Sequence, residues 1–149
     1  MTTTTPFFSP EKMHTESKDW LSFVNFVKTE YLFLLDTMKD VILPARNDDT
    51  QIEKEEIIDA INRSEMRNNT ITRMVNSHIR FLEDCIEKKD NKNQCSFINE
   101  HKSILVTINK YKKEYYRLKK QLIDIIKKAR KEEKIEYLLD SKGNFESVQ

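Results

Sequence analysis

One stretch, Phe97 to Ala129, constrains this chain more than any other. Alternate steps of four and three residues from Phe97 land on His101, Ile104, Ile108, Tyr111, Tyr115, Leu118, Leu122, Ile125 and Ala129. A seam sustained over more than four heptads is the pattern of a long helix packed lengthwise on other helices. Composition points the same way. In 149 residues there is one glycine, Gly143, and there are three prolines, Pro6, Pro10 and Pro44. Little material is left for tight turns, hairpins or phosphate-cradling loops, which argues against a sheet-based enzyme.

Two further helices are expected. Trp20, Val24, Val27, Tyr31, Leu34, Met38 and Val41 form a seam of the same spacing, so a first helix is predicted over about 17–43, ending before Pro44. Ahead of it, residues 1–15 are rich in threonine and read as a disordered arm. Thr50 with Glu53 reads as a capping box opening a second helix over about 50–87. Its seam is Ile57, Ile61, Ser64, Asn68, Ile71, Val75, His78, Leu82 and Cys85. Polar groups at Ser64, Asn68 and His78 either fix register and partner number, or mark a kinked or solvated stretch near 62–70. After a polar connector from Lys88 to Gln94, Ser96 caps a third helix predicted over about 96–139, which Asp140, Ser141 and Gly143 should stop. Residues 141–149 then form a frayed tail. The expected fold is all-α: a single up-down-up antiparallel three-helix bundle over 16–140, with a long coiled-coil-like hairpin of the second and third helices. Folding that hairpin about residue 91 leaves its tip uncovered by the first helix unless Phe7, Phe8 and Met13 fold over it.

The first helix is apolar on too many sides. From Trp20 to Leu43, fifteen of twenty-four positions are apolar or aromatic, including a second row at Phe23, Phe26 and Phe33. An amphipathic bundle helix needs about three or four in seven. Tyr116 and Ile123 on the third helix also point away from its seam. These five residues are the candidate partner-binding surface, and the partner is either another helical subunit or a second copy of this chain.

Lys plus Arg (26) nearly cancel Asp plus Glu (25), so only the distribution of charge can select a polyanion. Lys113, Lys120, Lys127 and Lys134 recur every seventh residue opposite the seam, with Arg117 beside them. Such a stripe suits a nucleic-acid backbone or an anionic membrane surface. Against it, the hairpin sets the stripe beside the acidic run 48–65, and lysine-rich faces are common on solvated helices. Ser9, followed by Pro10 and Lys12, fits a proline-directed kinase pattern; equally, Ser9 caps a helix that has Pro10 at its first position.

His78 and His101 fall on facing helices with Cys85 two turns further on, but none has a second ligand at short spacing, so satisfied seam groups are expected and no metal. Cys85 and Cys95 make no disulfide framework, no stretch is long enough to span a membrane, and no basic start with an apolar core opens the sequence. A cytoplasmic or nuclear location follows. Without a nucleophile elbow, a phosphate loop or an isolated carboxylate pair, no catalysis, cofactor or small-molecule substrate is expected. The sequence thus points to a non-enzymatic adaptor or scaffold subunit of an intracellular multi-protein complex, binding through the first helix. The alternative is a nucleic-acid or chromatin-associated protein using the lysine stripe.

Overall fold

The computed structural model describes the backbone of residues 9–40, 48–88 and 94–148, and side chains at 9–40, 49, 51–88 and 97–131. Three helices account for it: α1 (Pro10–Lys39), α2 (Asp48–Lys88) and α3 (Gln94–Val148). The protein is an all-α helical bundle, and no strand occurs among the described residues.

Helix α1 begins about two turns before the expected Ser17, so residues 10–15 are helical rather than part of an arm. The cause is local. Ser9 Oγ accepts a hydrogen bond from the Lys12 N–H at 3.2 Å, the Ser9 carbonyl accepts the Met13 N–H at 2.9 Å, and Pro10 sits at the first helical position. Ser9 is thus an N-cap, and Glu11 places an acid in the first turn, where the helix dipole favours it. The seam extends with the helix. Met13 and Ser17 are buried, in step with Trp20, Val24, Val27, Tyr31, Leu34 and Met38. Ser17 tolerates burial because its hydroxyl donates to the Met13 carbonyl at 2.7 Å.

The other bounds differ less at their starts. Thr50 lies inside the first turn of α2, and Ser96 inside the first turn of α3, so neither is the cap. Helix α3 passes Asp140, Ser141 and Gly143 and ends at Val148. A single glycine in a helix interior costs about 1 kcal/mol relative to alanine and is no obligatory stop. Helix α2 is uninterrupted through 62–70. Helix α1 ends at Lys39, with Asp40 in a turn, four residues short of the expected Leu43; Pro44 itself, and the expected fold-over of Phe7 and Phe8, lie outside the described residues.

The chain divides into two compact units, α1 up to Thr29 with Ser64–Tyr115, and Glu30–Arg63 with α3 from Tyr116 on. In the first, Met13, Trp20, Val24 and Val27 of α1 are buried, as are Ile71, Val75, Ile79, Leu82 and Cys85 of α2 and Ile104, Ile108, Tyr111 and Tyr115 of α3. Every buried polar side chain among the described residues is also there: Ser17, Ser64, Asn68, His78 and His101. In the second unit the buried residues are apolar or aromatic, with Tyr31, Leu34 and Met38 of α1, Ile57 and Ile61 of α2, and Leu118, Leu122, Ile125, Ile126 and Ala129 of α3. Among the described residues no helix is long and apolar enough to cross a membrane.

Candidate functional site

The polar seam positions of the first unit form two layers. In one, Asn68 Nδ2 donates to the Val24 carbonyl of α1 at 2.8 Å and to the Tyr111 hydroxyl of α3 at 3.1 Å. That hydroxyl donates onward to the Ser64 carbonyl at 3.3 Å, and Thr72 Oγ1 donates to Asn68 Oδ1 at 3.3 Å. Both amide protons of Asn68 are therefore used, as a buried amide requires. Burial pushes the Tyr111 phenol above its ordinary value, partly offset by its bonds to Ser64 and Asn68 and by the nearby Arg67.

The second layer is a row of four side chains. Glu100 Oε1 lies 2.9 Å from His78 Nδ1, His78 Nε2 lies 3.0 Å from His101 Nδ1, and His101 Nε2 lies 2.8 Å from Glu16 Oε2. Trp20 stacks on the His101 ring, centroids 4.4 Å apart. The pairing of His78 with His101 follows from the two seams. Glu16 and Glu100 were missed: Glu16 lies beside Ser17, a polar residue at a seam position, and Glu100 directly precedes His101, so an acid next to a polar seam position was the available signal. Among the described residues no group of three or more His, Cys, Asp or Glu side chains is arranged to hold a metal ion.

The aromatic candidates separate. Phe23 is half-buried: it meets Tyr115 edge-on at 5.9 Å, and Lys112 Nζ stands 5.2 Å from its ring centroid. Phe26 also meets Tyr115, at 6.3 Å, and keeps 47% of its surface exposed. In the second unit Phe33 and Tyr116 are 67% and 60% exposed, and Ile123 is half-buried. An ion pair between Glu30 of α1 and Lys119 of α3 ties those two helices together. Phe33 lies one turn past Glu30, Tyr116 one turn before Lys119 and Ile123 one turn after it, so the three flank that pair along their helices. Leu32, Ile52, Met66, Phe81, Leu105 and Val106 are further exposed apolar side chains that the sequence reading did not single out.

Of the basic candidates, Lys113, Lys120 and Lys127 of α3 are exposed, and the Lys134 side chain lies outside the described residues. Arg117 lines a cleft of about 460 Å³ in the second unit together with Glu53 and Glu56 of α2 and Asp124 of α3. Three carboxylates therefore share its surroundings and reduce its value to a polyanion. Ser9 is half-buried and engaged as the cap of α1, so a kinase that takes an extended substrate would have to unwind the first turn.

No protein-family model, curated protein or solved structure matches this chain. A functional reading rests on these residues alone.

Proposed function

We propose that the protein is a non-enzymatic adaptor or scaffold subunit of an intracellular complex, and that a helix of a partner docks between α1 and α3. The observation that carries this reading is the exposure of Phe33 and Tyr116 on either side of the Glu30–Lys119 pair. Large aromatic groups on two adjoining helices, bracketing an ion pair, have the composition of an interface core with a polar latch. A fourth helix laid there would bury them.

We infer an up-down-up course with α2 antiparallel to its neighbours. Supporting this, contacts between α2 and α3 run Ser64 to Tyr111, Arg67 to Glu114, His78 to His101 and Phe81 to Phe97, one number rising as the other falls. Contacts between α1 and α2 run His14 to Glu83 and Val24 to Asn68 in the same sense. Between α1 and α3 of the first unit, Glu16 meets His101, Phe23 meets Lys112 and Phe26 meets Tyr115, both numbers rising together. Burial of alternate fours and threes along each helix also supports a coiled-coil-like packing.

Light scattering on the purified protein tests the adaptor reading. A dimer, or aggregation relieved by a co-purifying helical subunit, is expected; a soluble monomer at all concentrations would overturn it. The second reading, nucleic-acid binding, is favoured by the exposed Lys113, Lys120 and Lys127 at seven-residue spacing. It requires binding that weakens steeply as salt is raised.

A further inference from the structure

The row Glu100, His78, His101, Glu16 can be counted in protons. An ionised carboxylate only accepts hydrogen bonds, so each outer contact needs an N–H on the ring. Glu16 and Glu100 keep 44% and 39% of their side-chain surface exposed, enough for water to solvate an ionised group. The central contact needs one N–H and one lone pair. The row is complete with three protons on four ring nitrogens: one imidazole neutral, the other an imidazolium. Two neutral rings supply two protons, which leaves one contact without a hydrogen: an outer one, where a carboxylate faces a lone pair, or the central one, where two lone pairs meet. Two imidazoliums supply four, and the centre becomes N–H against H–N.

We propose that Glu16, His101, His78 and Glu100 form a binding site for a single proton, and that the occupied site joins α1, α2 and α3 of the first unit. The charge sits on the ring facing Trp20, because an indole face favours a cation stacked on it. His101 then donates from Nε2 to Glu16 and from Nδ1 to His78 Nε2, while neutral His78 donates from Nδ1 to Glu100. The shift at His78 agrees: its pKa is lowered, chiefly by burial and further by the neighbouring His101, with Glu100 acting in the opposite sense. The titratable groups of the row come from every helix present: Glu16 from α1, His78 from α2, Glu100 and His101 from α3. Further along, His14 of α1 and Glu83 of α2 pair at 3.2 Å and make a separate contact.

An empty site has only two protons for three bonds, so it must give up one of them: the contact to Glu100, the contact to Glu16 or the central one between the rings. Loss at Glu16 removes one of the ties on the first turns of α1, and loss at the centre or at Glu100 removes one between α2 and α3. Proton occupancy thereby controls whether all three contacts of the row, and so all three helices, are held at once.

Ring-nitrogen NMR on the full chain between pH 5 and 8 tests the proposal. The expected result is that the two rings together take up one proton, with His78 remaining the neutral Nδ1–H tautomer throughout. Two rings that each become imidazolium in the folded protein, or two that stay neutral across the range, would overturn it. Glu16→Gln keeps an acceptor but removes a charge, and should move the titration of the pair down by about one pH unit, a roughly tenfold weaker hold on the proton. Glu83→Gln should leave that titration in place. An unmoved titration in Glu16→Gln would also overturn the proposal, and if that variant does not fold, the proton count in the unaltered chain decides.

Discussion

Two side chains in the first unit make stability depend on pH in opposite directions. His78 has its pKa lowered in the folded protein, chiefly by burial. As pH falls below the ordinary value of about 6.5, the unfolded chain takes up a proton that folded His78 refuses, so stability is lost toward acid. Tyr111 has its pKa raised by burial. Above about pH 10 the unfolded chain releases the phenolic proton first, so stability is lost toward alkali. Urea midpoints measured from pH 5 to 11 should therefore fall at both ends. Tyr111→Phe should flatten the alkaline limb while costing about 1–2 kcal/mol at neutral pH, because Asn68 and the Ser64 carbonyl each lose a partner. An alkaline limb unchanged in Tyr111→Phe would show that another group controls it. Asn68→Ala should cost more, about 2–3 kcal/mol by the same measurement, since the Val24 carbonyl and the Tyr111 oxygen each lose a donor and a cavity opens.

At the scale of the element, the seams explain most of what is buried, and their legibility stops where a side chain's role depends on a neighbour. Every described residue of the three apolar seams is buried except Phe97, which is half-buried. Helix α1 was read short because Ser17 is polar and the chain before it is rich in threonine. Burial of Ser17 is acceptable only through its bond to Met13, a fact of helix geometry that composition does not carry. In α3, Gly143 was read as a stop, although a glycine weakens a helix without forbidding it. The row of histidines and glutamates was half legible: seam spacing brings His78 to His101, but Glu16 and Glu100 sit just off the seams, where an acid ordinarily faces water. If the first turns of α1 are held by Met13 and the cap, both can be tested singly. Met13→Ala should cost about 2–4 kcal/mol and Ser9→Ala about 1 kcal/mol, read from thermal or urea unfolding. In Ser9→Ala, hydrogen exchange should also quicken selectively across residues 10–16. Loss of stability without that local quickening would mean that the segment unfolds only with the rest of the first unit.

For the whole molecule, the question is which surface a partner uses, and two sets of substitutions separate the answers. Phe33 and Tyr116 are mostly exposed, so replacing either removes little buried contact from the folded chain itself. Phe33→Asp and Tyr116→Asp should therefore leave the unfolding midpoint of the isolated chain within about 0.5 kcal/mol of the original. If a partner helix covers them, the same changes place a charge in a desolvated interface and should weaken association at least a hundredfold, by about 3 kcal/mol. Lys113, Lys120 and Lys127 form the opposite control. Their triple replacement by Glu reverses the charge of the exposed α3 face without touching the seam residues of α3. On the adaptor reading it leaves association unchanged, and on the nucleic-acid reading it abolishes binding and its salt dependence. Sedimentation or light scattering with both variants, at low and at high salt, decides between them. Association lost only in the aspartate variants supports docking beside the Glu30–Lys119 pair. Loss only in the lysine variant would transfer the function to the basic face of α3.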